Sequence, residues 1–267
     1  MDSAATPGAP PPFLGGGAGD APAPPPAPSG GGDLDETLFE LFHEWYGGVG
    51  FDIRIELHDR MTPAKMVDLW TSLWMAKNVD GKTLRNEVDA RLREKYCGAL
   101  GALRLPPYMS GEALAFSPPA HLAGTRPALG LEKVWLFGLM ILLDQVPRNV
   151  FRNTAAAYAG DRSARKVAEA LLPDFDTFAV PLRMSIILTY VHSEDMADLE
   201  VVQGLFKRVA DSRDGGRYAL VLEKLRGIIS NHSDRQRLFK RVPERNKWLG
   251  RPSTEAEVAY MANLPTV

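Results

Sequence analysis

Asp144, Gln145, Arg148 and Asn149 close the stretch "WLFGLMILLDQVPRN", residues 135–149, where a nearly unbroken apolar run ends in a carboxylate, an amide and a guanidinium. Burial strips Asp144 of water, and the negative end of a helix dipole opposes its charge, so it needs a cation or several donors. Arg148, Arg152 or a basic residue of the 203–251 segment can supply them. Two readings stand side by side: a structural ion pair that locks a helix end, or a carboxylate lining a binding site. A second polar group is "HSED", residues 192–195, directly after the apolar "MSIILTYV". Ser193 is the expected N-cap of the next helix, with Glu194 and Asp195 in its first turn. His192 is then left just outside that helix, where a neighbouring carboxylate would raise its pKa toward neutrality.

His232 falls in register with Val221, Leu225, Ile228 and Ile229 and points to the core side of its helix, as a satisfied core histidine or as a site group. "FKRVPERNKWLGR", residues 239–251, sets Arg241, Arg245, Asn246 and Arg251 in an irregular stretch. Arginine forks on such a stretch suit bidentate capture of carboxylate or phosphate. General acid–base work therefore falls to His192, Glu194 and His232. Ligand binding falls to Asp144, Gln145, Arg148, Asn149, Arg152, Arg241, Arg245, Asn246 and Arg251, with the arginines holding phosphate or carboxylate. No zinc-type His-Glu-x-x-His spacing, Gly-x-Ser-x-Gly elbow or Gly-rich phosphate loop occurs, so a metal, a serine nucleophile and the usual nucleotide cradles are not supported. No cofactor is indicated.

The elements that must position these groups read as helices. Asp33 with Glu36 resembles a capping box ahead of Leu38, Phe39, Phe42, Trp45 and Tyr46, and Gly47-Gly48 stops that run. Thr62-Pro63 opens a second helix with Met66, Trp70, Leu73 and Trp74 on its apolar face. A third starts near Thr83 with Leu84, Val88, Leu92, Tyr96 and Leu100 in register. Residues 104–128 hold five prolines and read as a long connection, with a short helix expected near 111–116. The apolar helix that follows is expected to end near Asp144, because Pro147 biases its predecessor away from helical geometry. Later helices are expected at 162–172, 182–191, 194–211, 217–232 and 254–263, the last opened by a Thr254/Glu257 capping box. No alternating strand is found. The expectation is an all-α fold of layered antiparallel helix pairs, a single domain over 33–267.

Residues 1–32 carry nine prolines and eight glycines and no basic residue, a composition expected to be disordered. They lack the features of a transit or secretory peptide, and Cys97 is the one cysteine, so a cytoplasmic, reducing setting is expected. The ten-residue apolar run 134–143 is too short to span a membrane, which takes about 20 residues. Net charge is −2, yet residues 203–251 hold thirteen Lys/Arg against five Asp/Glu. That basic surface admits nucleic acid as a partner, but only Tyr218, Phe239 and Trp248 interleave it, and this reading ranks last.

Three ordered motifs, "LLDQVPRNVFR", "HSED" and "FKRVPERN…LGRPSTEAE", resemble the bacterial domain of unknown function 924 over about residues 36–263. The family's pattern is matched at Asp144, Gln145, Arg148, Asn149, Phe151 and Arg152, then at 192–195. It is matched again at His232, Arg241, Pro243, Arg245, Asn246, Gly250 and Arg251. The chain departs from it at Thr189, Leu199, Lys240, Val242 and Glu244, the last three replacing a glycine, a phenylalanine and a histidine. The resemblance implies an all-helical, tetratricopeptide-like fold and brings no reaction with it. The leading functional expectation is a polar, Arg/His-lined pocket for a small anionic ligand, with a helical scaffold that binds a protein or peptide as the alternative.

Overall fold

The structure is a computed structural model, and it describes residues 34–47, 61–74, 84–103, 117–122 and 130–264. Among the described residues there are nine α-helices and no strand, as the periodicity predicts. The Pro/Gly-rich segment 1–32, Asp33 of the first capping box, Gly48 and the expected short helix at 111–116 lie outside the described residues.

Helix α1, Leu34–Trp45, buries Leu38, Leu41, Phe42 and Trp45, the spacing of one helical face. Gly47 leaves it at φ +73°, and Lys65 Nζ donates to its carbonyl at 2.8 Å. Helix α2, Pro63–Leu69, is capped by the Thr62 hydroxyl and runs into a π-helical turn, Trp70–Trp74. Helix α3, Leu84–Ala102, buries Val88, Leu92, Tyr96 and Leu100. Cys97 on its flank is half-buried, and burial pushes its thiol pKa up, which suits a packing group rather than a nucleophile.

Helix α4, Leu131–Val150, departs from expectation: it does not end near Asp144 but continues through Pro147 to Val150. A proline inside a helix costs about 3 kcal/mol, because it lacks an N–H and crowds the carbonyl four residues back. Here that carbonyl belongs to Leu143, and the backbone of Gly160 packs directly against it. Burial of Val146, Pro147, Asn149 and Val150 holds the extra turns in place. Side-chain bonds from Arg148 Nη1 to the Asp144 carbonyl (2.6 Å) and from Asn149 Nδ2 to that of Gln145 (2.9 Å) add to it. Tertiary burial overrides local propensity.

Helix α5, Asp161–Leu171, and helix α6, Val180–Val191, are joined through a 3₁₀ turn, Leu172–Thr177. Arg183 closes that junction by donating to the Phe178 and Asp176 carbonyls at 2.5 and 2.7 Å. Helix α7, Met196–Ala210, starts later than expected: its N-cap is Asp195, which accepts from Ala197 N, rather than Ser193. Glu194 is engaged elsewhere, by Val242 N at 2.8 Å, and so cannot serve the first turn. Helix α8, Ala219–Phe239, outruns the expected end at 232 by two turns, since "SDRQRLF" contains no breaker. Helix α9, Glu255–Ala262, carries the Thr254/Glu257 capping box in full.

α8 ends on Lys240 in the left-handed region, φ +58°, a C-cap position that favours glycine. Lys240→Gly is expected to stabilise the protein by about 0.5–1 kcal/mol, the strain of a side chain there outweighing glycine's added entropy loss. A chemical-denaturation midpoint unchanged or lowered by the substitution would contradict this.

α4 sits at the centre, packed against α1, α3 and α5, while α6 packs on α5 and α7, and α8 on α7, α6 and α2. Successive helices thus stack in layers, as expected for antiparallel pairs. α4 and α6 are apolar nearly all round because neighbours cover every face, and buried residues from Leu38 to Ile229 form one contiguous cluster. No described helix is long and apolar enough to cross a membrane.

Candidate functional site

The core of the site is the last turns of α4 against the C-terminal end of α6. Asp144 is 1% exposed, the kind of burial that only a well-partnered carboxylate tolerates. His192 Nδ1 lies 2.8 Å from its Oδ1, Arg148 Nη1 lies 3.0 Å from the same oxygen, and Gln145 Nε2 donates to Oδ2. The Thr189 hydroxyl, one turn before His192, completes the set at 3.4 Å. Burial alone would raise the Asp144 pKa; His192, Arg148 and the hydrogen bonds outweigh it and hold the carboxyl well below the usual carboxylate range. An ionised carboxylate only accepts, so His192 Nδ1 carries the proton and Nε2 presents a lone pair.

A second carboxylate, Asp161 at the start of α5, gathers two arginines. Arg148 grips it in a two-point fork at 2.7 and 2.9 Å, and Arg245 Nη1 reaches it at 3.2 Å. Arg245 also donates to the His192 carbonyl at 2.9 Å, so the 243–245 turn is tied to the end of α6. The Tyr158 ring lies beneath both guanidiniums, 5.8 Å from Arg148 and 4.8 Å from Arg245. Arg152 forks onto Asp89 of α3 at 2.8 Å on both arms and reaches Asn149 Oδ1 at 3.0 Å.

In front of these pairs opens a cleft of about 400 Å³, with Arg148, Arg152, Tyr158, His192, His232, Arg235, Glu244 and Arg245 among its walls. Asp144, Asp161 and Asp89 do not line it; they hold the guanidiniums from behind. His232 and His192 meet edge to face, ring centres 6.0 Å apart. His232 Nδ1 is buried with no hydrogen-bond partner, and its ring makes no hydrogen bond among the described residues. Across the cleft Arg235 Nε stands 2.5 Å from Glu244 Oε1.

The expectation that a carboxylate lifts the His192 pKa is overturned. Asp144 does pull it up, but burial and then Arg148 pull it down further, and the net shift is below the ordinary histidine value. His232 is driven well below it by burial and by His192, Arg245, Arg235 and Arg148. The fold therefore favours the neutral form of both imidazoles. Below about pH 6.5 the unfolded chain binds protons that the folded chain does not, so stability falls as pH drops. Stability is expected to fall between pH 6.5 and 5, with His232, held furthest below its ordinary value, contributing more than His192. His232→Asn is expected to flatten this decline, read from urea midpoints across pH; a native profile already flat in that range would be inconsistent with two buried neutral imidazoles.

The remaining sequence-nominated residues sit apart from this cleft in a network of their own. Arg251 forks onto Glu194 at 2.7 and 3.0 Å and also donates to the Val242 carbonyl. Arg241 forks onto the buried Glu257 at 2.5 and 2.6 Å, and Asn246 Nδ2 donates to Glu257 and Ser253. The Glu257 pKa is brought down to about 2, chiefly by the Arg241 bond. These pairs clip the 240–254 segment to α9 and to the start of α7.

Sequence reasoning did not nominate Asp161, Tyr158, Asp89 or Arg235. Arg235 was within reach: it stands three residues after His232, one turn away on the same helix face, once α8 is carried past 232. Asp161 and Asp89 had no local signal. Among the described residues no three His, Cys, Asp or Glu side chains are grouped to hold a metal ion.

No curated protein matches the chain. Among solved structures it is similar to a protein of unknown function from Agrobacterium tumefaciens, 27% identical, covering 74% of this chain and 96% of that one, with a TM-score of 0.49. A family model, "Bacterial protein of unknown function (DUF924)", matches residues 68–264, a segment running from α2 to the end of α9 that includes the cleft and the clipped network beside it. The order of motifs expected from the sequence and this match agree, and the chain belongs to the DUF924 family of bacterial proteins of unknown function.

Proposed function

We propose that the cleft binds a small molecule bearing a phosphate or carboxylate, with His192 and His232 serving it as proton acceptors or donors. The observation that carries this reading is the imbalance of charge on the cleft wall: four guanidiniums face it against the one carboxylate of Glu244. Arg152 spends Nε and Nη2 on Asp89 and Asn149, and its Nη1 hydrogens have no acceptor among the described residues. Arg245 likewise uses two of a guanidinium's five N–H groups. Guanidiniums fixed from behind by carboxylates lose little freedom on binding, which favours an anion. The Asp144–His192 pair supplies an oriented imidazole with its Nε2 unshared, the arrangement general base catalysis needs, while Glu194 holds Arg251.

Calorimetric titration with inorganic phosphate and with small carboxylates tests this. Saturable binding is expected, and Arg152→Gln is expected to weaken it by about tenfold. If neither class of anion raises the melting temperature at millimolar concentration, the reading fails. The scaffold alternative draws on the clipped pairs Arg251–Glu194 and Arg241–Glu257, which join separate segments without lining the cleft. The same titration separates the two.

A further inference from the structure

A second hollow of about 190 Å³ adjoins the cleft, and the two share His192, His232 and Arg235 as a common wall. Its other walls are mainly apolar, Trp70 and Trp74 from the π-helical turn, Leu188 from α6 and Ile228 from α8, with the amides of Gln145 and Asn231 beside them. π-helical turns inside helices occur often at functional sites, and this one sets both indoles on the same buried side. On the far side of the shared wall lie Arg148, Arg152 and Arg245. The chemistry therefore changes from apolar to cationic across two imidazoles, one of them with a buried, unpartnered ring nitrogen.

We infer that the ligand is amphipathic: an anionic head held in the arginine cleft and a ring-sized or short acyl body lodged in the tryptophan-lined hollow, with the bond between them beside His192 and His232. This rests on the anion reading above and narrows it to a substrate class, aryl or short-chain alkyl phosphates and carboxylates. An apolar cavity of about 150 Å³ suffices for a benzene ring, so the hollow admits one with little to spare. An anion without an apolar body would leave the indoles, Leu188 and Ile228 wet and forgo the gain from covering them.

Calorimetry with inorganic phosphate and phenyl phosphate on the native chain tests the inference. Phenyl phosphate is expected to bind at least about tenfold more tightly, since covering a ring and its apolar wall contributes more than the 1.4 kcal/mol that tenfold requires. Ile228→Trp, which fills the hollow from the half-exposed face of α8, is expected to abolish the preference, so that this variant binds phenyl phosphate and phosphate equally. Equal affinities on the native chain overturn the amphipathic ligand and leave the anion reading standing. Binding of neither overturns both. A phenyl preference that survives Ile228→Trp places the ring elsewhere and also overturns it. If that variant does not fold, a series of n-alkyl phosphates on the native chain decides: the gain per methylene is expected to stop once the hollow is full, and an absence of gain from the first carbon refutes the proposal.

Discussion

Asp144→Ala is expected to lower the stability of the folded chain by about 3–5 kcal/mol, because it takes away one of the two carboxylates on the buried Arg148 and strips the surrounding donors of their acceptor. Arg148 retains Asp161, which limits the loss, but His192 Nδ1 and Gln145 Nε2 lose their acceptor in a region that water reaches poorly. Asp144→Asn separates the contributions. It keeps the shape and an oxygen to receive the His192 N–H, but removes the charge and turns an amide donor toward Gln145 Nε2, so about 1–3 kcal/mol is expected. Urea denaturation of the two variants checks this. An alanine variant within 1 kcal/mol of native would mean that the carboxylate is not the keystone of the α4–α6 junction.

Gly160→Ala is the second large effect. A Cβ there would lie 2.1 Å from the Leu143 carbonyl oxygen and 2.9 Å from its carbon, both backbone atoms with no rotamer through which to retreat. α4 and the start of α5 must separate, and the cost is expected at or above the upper end of the usual 1–3 kcal/mol for overpacking. Because Asp161 follows directly, the shift also draws its carboxylate away from Arg148 and Arg245. Gly227→Ala is the matched control. It lies inside α8 with nothing within 4 Å of the added carbon, so it is expected to stabilise by about 1 kcal/mol, the helix-propensity difference. Opposite signs for the two substitutions, read as denaturation midpoints, are the expected result; the same sign would refute the packing argument.

These effects share a cause that bears on the departures from the sequence reading. Pro147 looked like a terminator because its local cost is real, yet α4 passes through it. Burial on all sides and the close backbone of Gly160 are properties of neighbouring segments that no window around residue 147 contains. Ser193 looked like a cap because it stands before a helical pattern, but the competition of Val242 N for Glu194 moved the start of α7 to Asp195.

What the amino-acid order determined unaided is what depends on near neighbours. Apolar spacing placed the helices, the Thr254/Glu257 pair opened α9, and the abrupt polarity after Leu143 marked where charged groups meet the core. Burial of a carboxylate beside a ten-residue apolar run already demanded a counter-charge. Which counter-charge was left to the tertiary structure. With 31 basic and 33 acidic side chains the possible pairings are many, and Coulomb attraction carries no sequence address. Only the stacking of α4, α5, α6 and α8 brought His192 to Asp144 and Arg245 to Asp161, and turned Glu194 away toward Arg251. The same stacking set a tryptophan-lined hollow against an arginine-lined cleft, a juxtaposition of Trp70 and Trp74 with Arg148, Arg152 and Arg245 that helical periodicity has no means to encode.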